Sequence, residues 1–323
     1  MLTEKRDAAG GGKLGPFFMA MVMSAALAAC GGGGGGDGES DEGLSPPASE
    51  PIPVTHEQPT LELTAGNSQH AAAHAYVALK ALGEWVPHFV FLISEVTPQQ
   101  PTQRIACGGG WFDVTLTDKD RDGKVSAGDT IVTESPSCES LPFGKGTMDV
   151  TILSARDGEP TAARILIKDA VYNHLRSYGD LRPVLNGTVT LRDFRTDSVL
   201  LQSEGTVTLQ TEGTQQLGLT NIALAGAQGA WGFEVAGAMD VSFATRLIDN
   251  RRAQFDIENL VSINNAQNGS PFPGAIRLTG TGAAKIRARG PDRINFVVDS
   301  DLNGDGAYEQ NVTMEADQFF QAW

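Results

Sequence analysis

Gly146-Thr147-Met148-Asp149-Val150-Thr151 returns ninety-one residues later as Gly237-Ala238-Met239-Asp240-Val241-Ser242. Behind each glycine, apolar and polar side chains alternate, which is the period of a strand with one buried face. Sixteen or seventeen residues further on, Ala163-Arg164-Ile165-Leu166-Ile167 is echoed by Ala253-Gln254-Phe255-Asp256-Ile257. Gly187-Thr188-Val189-Thr190-Leu191 likewise recurs as Gly205-Thr206-Val207-Thr208-Leu209. A hairpin repeated along a chain builds an antiparallel sheet by local pairing, although convergent alternation among unrelated strands would leave the same trace.

The same period runs outward to both sides. Candidate strands are Trp111 to Thr117, Thr130 to Glu134, Thr147 to Leu153, Arg164 to Tyr172, Thr188 to Asp193, Val199 to Ser203 and Thr206 to Thr211. They continue with Leu217 to Leu224, Phe233 to Thr245, Phe255 to Ile263, Ile276 to Arg287, Arg293 to Val298 and Gln310 to Glu315. The fold class is therefore mainly β, a large antiparallel meander over 101–323. So many strands must curl as an open sheet or close as a barrel to protect their edges.

Ahead of the strands, 61–100 reads as a helical segment. Asn67 or Ser68 is placed to cap it, an Ala- and Leu-rich run from His70 to Leu82 follows, and Gly83 and Pro87 are expected to break or kink it. His70 and His74 share one helix face at i and i+4. The stretch HAAAH lacks the glutamate that follows the first histidine in the zinc-protease motif, so packing is the expected role.

Leu27-Ala28-Ala29-Cys30 closes an apolar run, Phe17 to Ala29, that follows Lys5, Arg6 and Lys13. This layout resembles the lipobox of bacterial lipoprotein precursors. The resemblance implies a signal peptide over 1–29, a lipidated Cys30, and Gly31 rather than Asp behind it, the arrangement that favours the outer membrane. The acyl chains would supply attachment to the membrane. Residues 30–60 hold six glycines in a row, several prolines and acidic side chains with no Lys or Arg, the composition of a disordered tether. The whole chain carries a formal charge of −15, and removing 1–29 makes it −16. That balance opposes binding to nucleic acid or to anionic lipid surfaces.

With Cys30 lipidated, Cys107 and Cys138 remain as an even pair in an oxidising compartment and are expected to form a disulfide. Its loop of about 30 residues corresponds to roughly 3 to 4 kcal/mol in the chain-entropy account. Cys107 has no His or Asn motif beside it that would mark a nucleophile.

Two acidic loops carry the visible chemistry. The span Asp118 to Asp129 places carboxylates at loop positions 1, 3, 5 and 12, Gly123 at 6 and Val125 at 8. It resembles the twelve-residue calcium loop of EF-hands and dockerins. That resemblance implies Asp118, Asp120 and Asp122 as side-chain ligands of Ca²⁺, Lys124 through its carbonyl, Ser126 directly or through water, and Asp129 as the closing carboxylate. Strand-like sequence on both sides makes the loop a hairpin connection with calcium as its structural clasp. The second loop, Asp299 to Glu309, is similar to β-hairpin calcium loops. It would use Asp301, Asn303, Asp305, the Ala307 carbonyl and Glu309, with Asp299 as the alternative first ligand.

Lipobox, polyglycine, Ala-rich helix, the stretch CGGGWFDVTLTDKDRDGKVSAGD and the Gly-Thr strands together resemble proteobacterial outer-membrane lipoproteins of unknown function. No segment carries a catalytic signature. The expected role is a lipid-anchored, calcium-stabilised, noncatalytic envelope protein with a structural, binding or adhesive task. A glycan hydrolase and a carrier of a lipophilic ligand are the alternatives.

Overall fold

The computed structural model describes residues 53–107, 109–138, 143–173, 182–194, 198–210, 215–229, 232–259, 261–263, 274–291 and 295–321. Helix α1 (Ser68–Ser94) comes first. Strands β1 (Thr102–Cys107), β2 (Gly110–Thr117), β3 (Thr130–Ser137), β4 (Phe143–Arg156), β5 (Glu159–Tyr172), β6 (Val184–Arg192), β7 (Ser198–Ser203) and β8 (Val207–Gln210) follow. Then come β9 (Gln216–Gly229), β10 (Gly232–Ala244), β11 (Arg251–Asn259), β12 (Val261–Ile263), β13 (Ala275–Thr279), β14 (Lys285–Arg289), β15 (Asn295–Asp301), β16 (Gln310–Glu315) and helix α2 (Ala316–Gln321).

All sixteen strands form one antiparallel sheet whose neighbours are successive in the chain. Strands β7 and β8 share one lane between β6 and β9, and β11 and β12 both pair with β10. Strand β1 pairs only with β2 and β16 only with β15. Among the described residues the sheet is thus open rather than closed into a barrel.

What curls this sheet is the repeated glycine. Gly146 and Gly237 have φ of +127° and +129°, and a Cβ there would stand 2.7 Å from Ala170 Cα and 2.1 Å from Ala223 O on the next strand. The ladders slip register beside both, as β-bulges do, and a bulge bends its strand. Past each glycine the alternation resumes. Met148, Val150, Met239 and Val241 are buried in the core, while Asp149 and Asp240 turn outward.

The sheet curls round α1. Tyr76 packs edge-on against Phe296 of β15, and His88 against Phe112 of β2 and Phe143 of β4. Tyr172 of β5 donates to Glu84 at 2.8 Å. Helix α1 is long and apolar enough to cross a membrane, but 83% of that stretch is buried inside the fold, so here it acts as the core. Lys80 and Glu84 look like a surface i,i+4 pair, yet both are buried, 2.5 Å apart. Paired with each other and with Tyr172, they escape the cost of a lone buried charge.

Several expectations need correction. The helix starts at Ser68 rather than Leu61, because Leu61 is extended and exchanges backbone bonds with Arg252 and Thr281. Asn67 accepts from the Thr64 N–H and donates to Glu62 O, so its side chain ties the preceding turn instead of capping α1. The helix runs unbroken through Gly83 and Pro87; burial on nearly every side outweighs the roughly 3 kcal/mol that an interior proline costs. The expected strand Ile276 to Arg287 is two strands split by the turn at Thr281–Ala283, where Gly282 has φ of +64°. Alternation marks neither strand β1, a short polar edge strand, nor helix α2, only six residues long. Thr211 and Arg293, at the ends of two expected strands, lie outside the described residues.

The two ends of α1 differ in surroundings. At its N-terminal end His70 Nε2 lies 2.7 Å from Thr245 Oγ1 after β10. The β13–β14 turn is there too, with Gly304 close against Gly282. Beyond its C-terminal end Gln99 donates to Gly123 O. The acidic loops after β15 and after β2 therefore sit at opposite ends of a helix about 40 Å long.

Candidate metal centres

Between β2 and β3, the chain must reverse while carrying four aspartates. Asp118 accepts from the N–H groups of Arg121 at 2.6 Å and Gly123 at 2.9 Å. Asp120 accepts from Asp122 N–H and Asp122 from Lys124 N–H. Asp129, 1% exposed, closes the loop by accepting from Lys119 N–H at 2.9 Å and Ser126 N–H at 2.8 Å. Val125 at position 8 is buried and pins the loop to the core.

Asp118, Asp120 and Asp129 each offer an oxygen within 4.8 Å of the others. Ser126 Oγ joins them, 3.1 Å from Asp120 Oδ2. Asp122 is not part of this cluster; one of its oxygens is engaged by the Lys124 N–H. Burial opposes ionisation of Asp118, but the N–H groups of Gly123 and Arg121 outweigh it and hold its carboxyl below the usual aspartate range. Three anions at this spacing repel by about 1 kcal/mol per pair in water and about 4 at an effective dielectric of 20. A hard divalent cation would relieve that repulsion, and oxygen donors are what Ca²⁺ takes.

The loop between β15 and β16 is wound the same way. Asp301, 1% exposed, accepts from the N–H groups of Gly304 at 2.7 Å and Gly306 at 2.9 Å. Asn303 accepts from Asp305 N–H and Asp305 from Ala307 N–H. Position by position these are the bonds of the first loop. Glu309 accepts from Leu302 N–H at 3.2 Å, as Asp129 does from Lys119. Asp301, Asp305 and Glu309 converge within 4.8 Å, whereas the Asn303 amide donates to Asp305.

That geometry also selects the register. Asp299 is held by Arg289 at 3.1 Å and Asn311 at 2.5 Å and lies outside the Asp301 cluster, so Asp301 stands first.

Cys107 and Cys138 form a disulfide with Cα atoms 5.6 Å apart. It joins β1 to the end of β3, at the opposite end of the β2–β3 hairpin from the acidic loop. The rings of His70 and His74 lie 4.0 Å apart, and His74 Nδ1 is 2.9 Å from His70 O. Burial, and secondarily His70, lowers the His74 pKa to about 3. Cys30 and residues 1–52 lie outside the described residues.

One constellation escaped the sequence reading. His56 stands between Asp240 at 2.8 Å and Asp256 at 3.2 Å. Asp240, fully buried, also accepts from Glu57 N–H and Asn221. Residues 56–60, at the end of the expected tether, are thereby laid on the outer face of β10 and β11. The signal was the aspartate shared by the two repeats, but its partner lies 184 residues away.

Compared with family models, curated proteins and solved structures, the chain finds no match in any of the three.

Proposed function

We propose that this chain is a noncatalytic, lipid-anchored protein of the bacterial outer membrane, stabilised by structural calcium in its two hairpin loops and serving an envelope-structural, binding or adhesive role. The observation that carries the calcium is the shared winding of the loops, with a carboxylate cluster centred on Asp118 in one and Asp301 in the other. Cys30 would be the anchor, and the Cys107–Cys138 disulfide fits an oxidising compartment.

Among the described residues, little room for a lipophilic cargo is found beside α1. Helix α1 fills the concave side of the sheet, and the gap beside Leu82, Val86 and Phe233 holds only about 10 Å³. We therefore place a ligand on the convex outer face of the described sheet. A hydrolase would want a carboxylic acid poised near neutrality; burial raises the carboxyl of Glu234, which lies in neither acidic cluster, and the clusters fit a metal.

The test is thermal unfolding of the purified chain with calcium and with a chelator, beside elemental analysis of bound metal. A site filled at a hundred times its Kd adds about 3 kcal/mol, so chelation should lower the midpoint by several degrees. An unchanged midpoint with no bound metal would remove calcium from the reading.

A further inference from the structure

The outer face of β1 to β5 carries a row of side chains that only register brings together. Arg104 faces Asp113, Asp113 faces Glu134, Glu134 faces Thr147 and Thr147 faces Lys168. Five strands at sheet spacing make this row about 19 Å long. Register shifts cluster along it, between Trp111 and Asp113, around Lys145 and between Ile167 and Ala170. Such bulges re-aim side chains and bend strands, and here they accompany an open depression of about 420 Å³.

Trp111 stands at one end, 39% exposed on a face otherwise polar. Its indole N–H donates to Asp113 at 3.2 Å, and the Arg104 guanidinium lies 4.8 Å from the ring centre. Arg104 in turn donates twice to Asp113, at 2.7 Å each. The ring is thus fixed in orientation while keeping aromatic surface in water. Glu134 and Lys145 have no ion-pair partner among the described residues, leaving an acceptor and a donor on offer. At the second copy of the repeat, the chain's own residues 56–60 cover the outer face; at this first copy no such segment lies over it among the described residues.

We propose that this depression binds a neutral glycan chain, with Trp111 as stacking platform and Glu134 and Lys145 as hydrogen-bonding partners of sugar hydroxyls. Three cations and three carboxylates line it, so it has no excess charge to attract a polyanion, whereas a polyhydroxylated chain uses donors and acceptors alike. A shaped surface with an aromatic ring and a few fixed polar groups is the general form of a small-ligand site. The Arg104 hydrogen bonds hold the Asp113 carboxyl below the usual aspartate range, which makes it a permanent acceptor and suits binding rather than acid catalysis. The proposal rests on the binding role in the reading above and not on calcium.

The test is calorimetric titration of the full mature chain in detergent with cellohexaose, maltohexaose, chitohexaose and mannohexaose. Heparin and a peptide of residues 53–60 serve as polyanion and peptide probes. At least one neutral hexasaccharide should bind, Trp111→Ala should weaken it about tenfold or more, and Glu134→Gln severalfold, both variants melting like the parent. Absence of binding by all four sugars overturns the proposal, as does equal binding by both variants or binding of heparin or peptide in their place. Binding that fails while chelation still lowers the melting midpoint sinks this proposal alone. Binding that persists with a midpoint indifferent to chelator sinks only the calcium.

Discussion

After β2, the acidic loop is closed by Asp129, buried and accepting two N–H groups; after β15, the matching loop is closed by Glu309, exposed and accepting one. The N–H groups of positions 4 to 7 find the same acceptors in both. Surroundings differ as well. Val125 roots the first loop in the core and the disulfide ties the other end of its hairpin. Tyr308 at the same position of the second loop is 39% exposed, and its hairpin ends in the edge strand β16. The same loop winding can therefore be rigidly backed or lightly held, and the ends of α1 should respond differently to stress.

Acid should produce the largest contrast, at the end of α1 nearest the second loop. Burial holds the folded His74 pKa at about 3, below the 6.5 of an unfolded histidine. The unfolded chain then binds the proton more readily. His74's contribution is complete above about pH 6.5 and is lost as pH falls toward about 3, approaching roughly 4 kcal/mol at the bottom. His74→Asn keeps a side-chain donor but has no titration. Its melting midpoint should fall less steeply than the parent's across that window, and parallel curves would show that His74 is not the acid-sensitive group.

Opening the disulfide should rank next. Cys107→Ser with Cys138→Ser should cost about 3 kcal/mol, read as a lower denaturant midpoint. Under the proposed reading, calcium at the first loop should then matter more, as it would be the remaining clasp of the β2–β3 hairpin. Equal chelator sensitivity with and without the disulfide would mean the two ends of that hairpin do not cooperate. Asp129→Ala follows at about 2 to 3 kcal/mol even in chelator, since two N–H groups lose their acceptor.

Legibility in the sequence followed distance along the chain. The Gly-x-Met-Asp-Val repeat displays its in-out alternation within six residues, so most strands could be located. The disulfide partners and the two acidic loops were similarly readable. What the repeat does not display is curvature, which depends on where the glycine backbone meets the next strand. Lys80 and Glu84 have the spacing of a surface pair, and only Tyr172, 88 residues away, reveals that they are core. Asp299 and Asp301 are equivalent by spacing alone; Arg289 and Asn311, on the strands to either side, tell them apart. Trp111 and Asp113 were visible, but their row with Arg104, Glu134 and Lys168 exists only once five strands are in register.

The smallest effect should come from Glu309→Gln, and it separates winding from closure. Gln keeps an acceptor for Leu302 N–H, so in chelator the variant should melt within about 0.5 kcal/mol of the parent. It removes one of the three converging charges, so any calcium at Asp301 and Asp305 should bind more weakly. A drop from ten times Kd to about Kd corresponds to about 1 kcal/mol of lost stabilisation. The difference between parent and variant should therefore be absent without calcium, grow as calcium is added and level off at saturating concentrations. If the variant is indistinguishable at every calcium concentration, the second loop is a turn braced by its own N–H groups. The shared winding would then be a way of folding an acidic hairpin, with metal reserved for the loop that Asp129 closes.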